Sequence, residues 1–321
     1  MNSQAEIVTR GISERISVAD YSMMLVVVIW GLNSSIIKLT ILQIHPLVFT
    51  AFRFTIASIL LAVVLRLREG SVGIPTRFSW RVIALGIIGN TLYQVLFILG
   101  LSMTTASNTA LIIATTPAIV TVLGICSGVE QTNLRLISGI FLAFLGVMLL
   151  ISGPGLVFGK QALVGDLLVL GSVICWSIYT LGVRSLHKQI SSLRVTVLTI
   201  LVGTPGLVII SLPWLRDVHW HQVTLSAWGG VAYAAILTLV VGYVLWNDSV
   251  HRIGGGRTSI YTCITPAVAM LVAWLVLNER PSPLQILGTI FIISGVLLTT
   301  INNSKSQIDS HSDHRFTIKQ I

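Results

Sequence analysis

Charged residues are scarce in this sequence. Asp, Glu, Lys and Arg make up only 10% of its 321 residues, whereas 54% of the residues are hydrophobic. A typical soluble domain is about 25% charged. A soluble chain of this length could not shield so much apolar surface from water, and the mean hydropathy is +0.89. The composition therefore excludes an ordinary soluble protein and predicts a chain embedded in a bilayer.

Cysteine is also scarce, and nothing indicates a nucleic-acid partner. Cys126, Cys175 and Cys263 each lie within an apolar stretch, which predicts small core residues rather than disulfide bonds or metal ligands. No metal and no cofactor are expected.

The net charge of +9 could suggest nucleic acid, but no patch combines basic and aromatic residues. Basic residues in the cytoplasmic loops of a membrane protein explain the charge better.

Ten apolar stretches are long enough to cross about 30 Å of hydrocarbon as α-helices. They cover residues 21–38, 46–65, 81–101, 108–127, 134–152, 166–185, 193–213, 227–248, 257–277 and 284–302. The polar residues 1–20 and 303–321 are expected to form cytoplasmic tails. The fold prediction is an all-α membrane protein with ten transmembrane helices.

The chain contains an internal duplication. Residues 106–151 and 255–300 share one pattern at an offset of 149, and the earlier parts of the two halves align at an offset of 146. The aligned pairs are Asp20 with Asp166, Trp30 with Trp176, Lys38 with Arg184, Pro117 with Pro266, Glu130 with Glu279, Gly139 with Gly288 and Gly146 with Gly295. The duplication predicts a first repeat at 21–152, a linker at 153–165 and a second repeat at 166–302.

The distribution of Lys and Arg predicts the orientation of the chain. With a cytoplasmic N-terminus, fifteen of these residues lie on the inner side of the ten spans and four on the outer side. This bias indicates that both termini are cytoplasmic. Because each repeat has five helices, the second enters the membrane from the side opposite to the first. Inverted repeats are typical of secondary transporters, which expose one central site to either side.

Several motifs resemble those of an EamA-family permease of the drug/metabolite transporter superfamily. They are Trp30-Gly31-Leu32-Asn33 with Lys38, Pro46 and Arg53 in the first half, together with the duplicated Thr-Pro, Glu and Gly positions. The resemblance covers residues 20–302 and implies a ten-helix carrier in a bacterial or archaeal cytoplasmic membrane, often an exporter of amino acids or related metabolites. The second copy departs from the first, with Ser177, Tyr179 and Thr199 in place of Gly31, Asn33 and Arg53. The expected partners are a small solute and the bilayer, and the chain is either a monomer or a homodimer.

Arg53 is the only charged side chain well inside an apolar stretch. A charge there costs about 2.5–3.5 kcal/mol on insertion scales, so it should face protein or water. One interpretation is that Arg53 anchors a carboxylate or phosphate of the solute. The other is that it bonds helix-end carbonyls or a polar side chain of the protein.

Uncharged polar and aromatic residues complete the candidate substrate site. The amides Asn33, Gln94, Asn108 and Asn247 either bond a solute or tie helices together. The aromatic candidates for the wall of a cavity are Trp30, Tyr93, Trp176, Tyr179, Tyr243, Trp246 and Tyr261. Such rings suit an amphipathic solute, although packing is an equal alternative.

Two pairs of duplicated residues have predicted mechanical roles. Pro117 and Pro266 are expected to break the hydrogen-bond ladder in mid-helix, as hinges or as static kinks. Glu130 and Glu279 lie in loops on opposite faces, and each is expected to cap or tie its own turn.

Asp, Glu and His are absent from the middle of the apolar stretches. Asp20, Asp166 and Asp248 lie at the ends of spans, and all seven His lie outside them. Proton-driven carriers usually keep a titratable relay in the bundle, so strict proton coupling is not expected.

The function prediction is export of small amphipathic metabolites by alternating access, with amino acids as the favoured class. Multidrug or other metabolite efflux and a non-transporting membrane assembly protein are the alternatives, and no enzyme motif is present.

Overall fold

The computed structural model describes residues 18–73, 79–128, 134–151, 160–186, 190–253, 261, 264–295 and 297–298. These residues are helical apart from short connections, and they contain no β-strand. The structure does not describe residues 1–17 and 303–321 of the predicted tails, most of the linker, Glu130, Cys263 and the side chains of Asp20 and Asn247.

The helices follow the predicted apolar stretches in order. They are α1 (Val18–Thr40), α2 (Pro46–Glu69), α3 (Ser79–Met103), α4 (Ala106–Cys126), α5 (Leu134–Ile151), α6 (Lys160–Leu186), α7 (Ser192–Ser211), α8 (Leu225–Ile253), α9 (Thr265–Leu277) and α10 (Pro283–Gly295). In the described part of the chain, seven helices are long and apolar enough to cross a membrane, namely α1–α4 and α6–α8. Shorter apolar stretches lie in α5, α9 and α10.

The predicted boundary between the linker and the second repeat differs from the structure. Helix α6 begins at Lys160, within the stretch expected to be the 153–165 linker. Asp166 therefore lies six residues inside the helix instead of at its first residue, and its side chain is buried. Ala162, Leu163 and Val164 extend the apolar stretch toward the N-terminus, and the single Gly165 does not end the helix.

Local sequence fixes several helix ends. Pro46 begins α2, where its missing N–H costs nothing and its fixed φ suits the first turn. Gly70 ends the same helix in the left-handed conformation, with φ of 74°. Thr105 caps α4 by accepting a hydrogen bond from the backbone N–H of Asn108.

Helix packing repeats between the two halves of the chain. Helix α1 packs against α8 and α9, and α6 packs in the same way against α3 and α4. Helices α2 and α7 pack against each other, as do α4 and α9. The end of α1 and the start of α6 both reach the corner between α3 and α4, so α1 and α6 run in opposite directions. We call this end of the bundle the Lys38 end and the opposite end the Glu69 end.

Helices α3 and α8 both contain a π-helical segment, at Ile87–Leu92 and Tyr233–Val241. The two segments start 146 residues apart, which is the offset of the sequence duplication. A π-helical turn adds a residue to the turn and rotates the side chains that follow it, and such turns are frequent at functional sites. The residues that follow are Tyr93 and Gln94 in α3, and Tyr243 in α8.

The structure locates the two duplicated prolines and corrects the prediction for one cysteine. Pro117 lies in the first turn of the second segment of α4 (Thr116–Cys126), after a break at Ala114 and Thr115, and Pro266 likewise lies in the first turn of α9. The hydrogen-bond ladder of α4 is thus interrupted beside Pro117, and Pro266 lies where a first-turn N–H needs no partner within the helix. The role of the two prolines as hinges or as static kinks stays a prediction. Cys126 is exposed and not a core residue, whereas Cys175 is buried as expected.

Candidate functional site

The Arg53 side chain lies inside the bundle with only 2% of its surface exposed. Its Nη2 donates a hydrogen bond to Oε1 of Gln94 on α3, at 2.5 Å, whereas its Nε has no partner. Among the described residues, the one ion pair found joins Arg194 to Glu69 at the protein surface. Within that part of the chain, the guanidinium of Arg53 therefore has a neutral amide partner but no carboxylate.

Three phenylalanine rings surround this guanidinium. Its Cζ lies 5.3 Å from the ring centroid of Phe49, 5.5 Å from that of Phe54 and 5.9 Å from that of Phe97. Each cation–π contact offsets part of the desolvation cost, by about 0.5–2 kcal/mol. The rings also exclude water, so an anion that reached Arg53 would be held in a medium of low dielectric constant.

An aromatic cluster of six rings lies beside Arg53. Trp176 is its centre, with ring centroids 5.0 Å from Tyr93, 5.0 Å from Tyr179 and 6.2 Å from Tyr243. Trp30 extends the cluster, at 6.3 Å from Tyr243 and 5.4 Å from Trp246. All except Tyr179 are half-buried, so their rings keep accessible surface within a bundle of helices.

Phe97 joins the aromatic cluster to the Arg53 pocket. Its ring stacks on Tyr93 with centroids 6.0 Å apart, and it also faces the guanidinium. Gln94, the neighbour of Tyr93 in α3, bonds Arg53. One helix thus places a cationic group and an aromatic wall side by side.

Two glycines make room for rings of the cluster. A Cβ atom at Gly89 would lie 2.2 Å from Cδ2 of Tyr179, and one at Gly242 would lie 2.7 Å from Nε1 of Trp30. Both distances are far below van der Waals contact. Gly89 lies within the π-helical segment of α3 and Gly242 directly follows that of α8, so these segments set the positions of rings from α6 and α1.

Hydrogen bonds orient the polar edges of the site. Trp30 Nε1 donates to the backbone oxygen of Thr238 at 3.4 Å, and Thr238 Oγ1 donates to Oδ1 of Asn33 at 3.1 Å. The hydroxyl groups of Tyr179 and Thr199 are 3.1 Å apart. Asn33 therefore ties α1 to the π-helical segment of α8, which is the helix-tying role foreseen as its alternative.

Two of the predicted site residues are not part of this arrangement as described. Asn108 is fully buried at the Lys38 end, where it bonds Asp166 and Gln285. Tyr261 is half-buried, and the chain on both sides of it (254–260 and 262–263) lies outside the described residues, so its role stays a prediction.

Sequence reasoning missed the three phenylalanines, Thr238 and Thr199. None of them carries a charge or a motif, and phenylalanine in an apolar stretch is ordinary core. Only Phe49, four residues before Arg53 on the same helix, has a spacing that could have indicated a ring beside the guanidinium.

A groove of about 470 Å³ lies on another part of the molecule. It is lined by α2 residues such as Ser58, Ala62 and Arg66, and by Leu201 of α7. This groove is apart from the aromatic cluster. In the described part of the chain, no three His, Cys, Asp or Glu side chains are grouped as metal ligands would be.

Comparison with known proteins identifies the family. The sequence model of the EamA-like transporter family matches residues 17–152 and 163–301. The chain belongs to this family. The two matched ranges fall on the two halves that the duplication defines, and the expected resemblance to EamA permeases is confirmed.

Similar proteins from bacteria and archaea bear transporter names. "Uncharacterized transporter YyaM" of Bacillus subtilis (strain 168) is 30% identical over 83% of this chain and 88% of its own length. An "Uncharacterized transporter" of Archaeoglobus fulgidus is 29% identical over 86% of this chain and 95% of its own length. The "Probable terminal-alkyne amino-acid exporter" of Streptantibioticus cattleyicolor is 27% identical over 88% of this chain and 94% of its own length.

A solved crystal structure shares the fold. It superposes with a TM-score of 0.63 at 17% identity, covering 89% of this chain and 98% of the other. This EamA-like protein is thus a multi-pass membrane transporter, and the prediction that it is not an enzyme is confirmed by the family and its named relatives. Its surroundings are a lipid bilayer and its cargo is a solute.

Proposed function

We propose that this transporter exports amino acids and related small amphipathic solutes from the cytoplasm, and that Arg53 binds the solute carboxylate. The observation that carries the proposal is a guanidinium with 2% exposure and an unpartnered Nε, without a carboxylate among the described residues. A buried charge is stable when it is paired. A solute carboxylate would supply the missing charge and form a charge-assisted hydrogen bond.

The aromatic cluster supports an amphipathic solute. Rings with accessible faces and with hydroxyl or indole N–H groups at their edges bind apolar groups while orienting polar ones. The six rings adjoin the Arg53 pocket through Phe97, so one solute could contact both. One relative is named an amino-acid exporter, which agrees with this solute class.

The proposed architecture is two inverted five-helix repeats in the cytoplasmic membrane, with both termini inside. The duplicated packing, the opposed directions of α1 and α6 and the paired π-helical segments support the inverted repeat. The excess of Lys and Arg on one side supports the orientation. A site between two inverted halves can open to either face, which is the basis of alternating access.

Transport without obligatory proton coupling is part of the proposal, and Asp166 is the buried carboxylate that bears on it. Asp166 was expected at a helix end, but it lies inside α6 with 1% of its surface exposed. It accepts hydrogen bonds from Thr104 and Asn108, which are neutral. Uptake with and without an imposed proton gradient tests the coupling directly.

The test is uptake by proteoliposomes that contain the purified protein. A panel of labelled amino acids is supplied, with ionophores collapsing the proton gradient and the membrane potential. We expect saturable uptake of apolar and aromatic amino acids down their own gradients. Uptake that requires an imposed proton gradient would refute the uncoupled mechanism. Absence of uptake both with collapsed gradients and with an imposed proton gradient would refute the solute class. Drugs, other metabolites or an assembly role would then be favoured.

A further inference from the structure

Three charged side chains converge on the corner between α3 and α4, at the Lys38 end. Lys38 of α1 donates to the backbone oxygens of Leu101 (2.8 Å) and Thr104, which lie at the C-terminal end of α3. An ammonium group is favourable there because the final carbonyls of a helix carry partial negative charge. The first of the three charges thus fixes α1 to the end of α3.

Glu279 holds the other side of the same corner. Its carboxylate accepts hydrogen bonds from the backbone N–H groups of Ala106 and Ser107, both at 3.1 Å, and from Ser107 Oγ at 2.9 Å. These N–H groups have no partner within α4 and would be costly to leave bare in a membrane. The sequence predicted that Glu279 caps its own turn. It caps a helix of the other half instead, because the start of α4 lies beside the α9–α10 connection.

Asp166 of α6 completes the set. Its Oδ1 accepts a hydrogen bond from Thr104 Oγ1 at 2.6 Å, and Asn108 Nδ2 lies 3.3 Å from Oδ2. Asn108 Oδ1 in turn accepts from Nε2 of Gln285 on α10, at 2.9 Å. Thr104, Asn108, Asp166 and Gln285 are each at most 5% exposed, so this network is shielded from water.

We infer that Asp166 and Glu279 are positioning residues of the transport cycle, which hold the Lys38 end shut until solute is released there. The inference rests on the alternating-access function proposed above. Each carboxylate joins the second half of the chain to the α3–α4 corner of the first half. Those contacts must break if the two halves separate at this end, whereas contacts within one half need not.

The duplication agrees with a role beyond local packing. Lys38, Asp166 and Glu279 all belong to aligned pairs, and their counterparts Arg184, Asp20 and Glu130 keep the charge in each case. The three charged types have thus been kept in both copies of the repeat. The structure does not describe the counterpart side chains, and the inference concerns the Lys38 end alone.

The experiment measures how fast a thiol behind the closed end reacts. Cys126, Cys175 and Cys263 are replaced by serine, and Ser34→Cys is introduced as the reporter. Ser34 lies one turn after Trp30 and one turn before Lys38, on the same face of α1, and is 6% exposed.

A membrane-impermeant maleimide is applied to intact cells and to inverted vesicles. Leu42→Cys, at a position that is 76% exposed beyond the end of α1, shows which preparation presents the Lys38 end and how much protein is inserted.

Asp166→Asn and Glu279→Gln keep the shape of each side chain and remove its charge. We expect each variant to raise the rate of Ser34→Cys alkylation at least about tenfold, from the side that labels Leu42→Cys. The reason is that a charge-assisted hydrogen bond no longer favours the closed state.

The matched control Glu69→Gln removes a carboxylate that pairs with Arg194 at the opposite end, and should not raise the rate. Unchanged rates in both variants, or acceleration only from the opposite side, would overturn the inference. The assay uses no solute, so faster alkylation without amino-acid flux would uphold the closed end and reject the solute class.

Discussion

Replacing Arg53 by alanine is expected to reduce amino-acid flux about 10- to 100-fold. The change removes the buried cation that lies beside the aromatic cluster, and hydrogen bonds to charged groups are worth about 1.5–3 kcal/mol. Flux is measured in proteoliposomes that contain equal amounts of inserted protein. Arg53→Lys keeps the charge but loses the forked donors, so we expect it to recover part of the flux.

Arg68→Ala is the matched control for this substitution. Arg68 lies in the last turn of the same helix and is exposed, so its loss should leave flux unchanged. Flux of the wild-type level from a well-inserted Arg53→Ala variant would contradict the carboxylate-anchor role. It would leave Arg53 with the structural role of tying α2 to α3 through Gln94.

Replacing Trp176 by alanine is expected to raise the KM for apolar and aromatic amino acids about tenfold. A solute ring stacked on Trp176 would lose an aromatic pair worth about 0.5–1.5 kcal/mol, and Trp176 also contacts three other rings of the site. The change also leaves a cavity, which widens the site and loosens Tyr93 and Tyr179. Trp176→Phe restores a ring and should recover most of the affinity. Initial rates over a range of solute concentrations measure both variants.

Trp80→Ala controls for the loss of an indole elsewhere. Trp80 is 67% exposed at the start of α3, and its substitution should leave KM unchanged. If Trp176→Ala lowers the amount of inserted protein but leaves KM at the wild-type value, the aromatic cluster is packing and not a solute wall.

The sequence predicted much of the fold and the site because their signals are strong and local. Apolar length indicated the helices, and the duplication located Trp30 and Trp176, which the structure places in one cluster. Arg53 stood out because an intramembrane charge is rare. These predictions used single residues whose chemistry is unusual for their surroundings.

Tertiary relations were beyond sequence reasoning. The π-helical segments have no marker residue, yet they bring Gly89 against Tyr179 and Gly242 against Trp30. Glu279 was assigned to its own loop because nothing in a single sequence pairs it with the start of α4, which lies 172 and 173 residues away. The burial of Asp166 depends on where α6 begins, and helix starts without a capping residue are the least predictable feature of such a chain.

The most direct test of the carboxylate-anchor claim compares an amino acid with its amide. The amide analogue keeps the side chain and the ammonium group of the solute but has no carboxylate for Arg53. Each compound competes with the uptake of a labelled, transported amino acid in proteoliposomes. We predict that the amide competes at least about tenfold more weakly in the wild type, and that the difference shrinks in Arg53→Ala. Equal competition by acid and amide in the wild type would contradict the account.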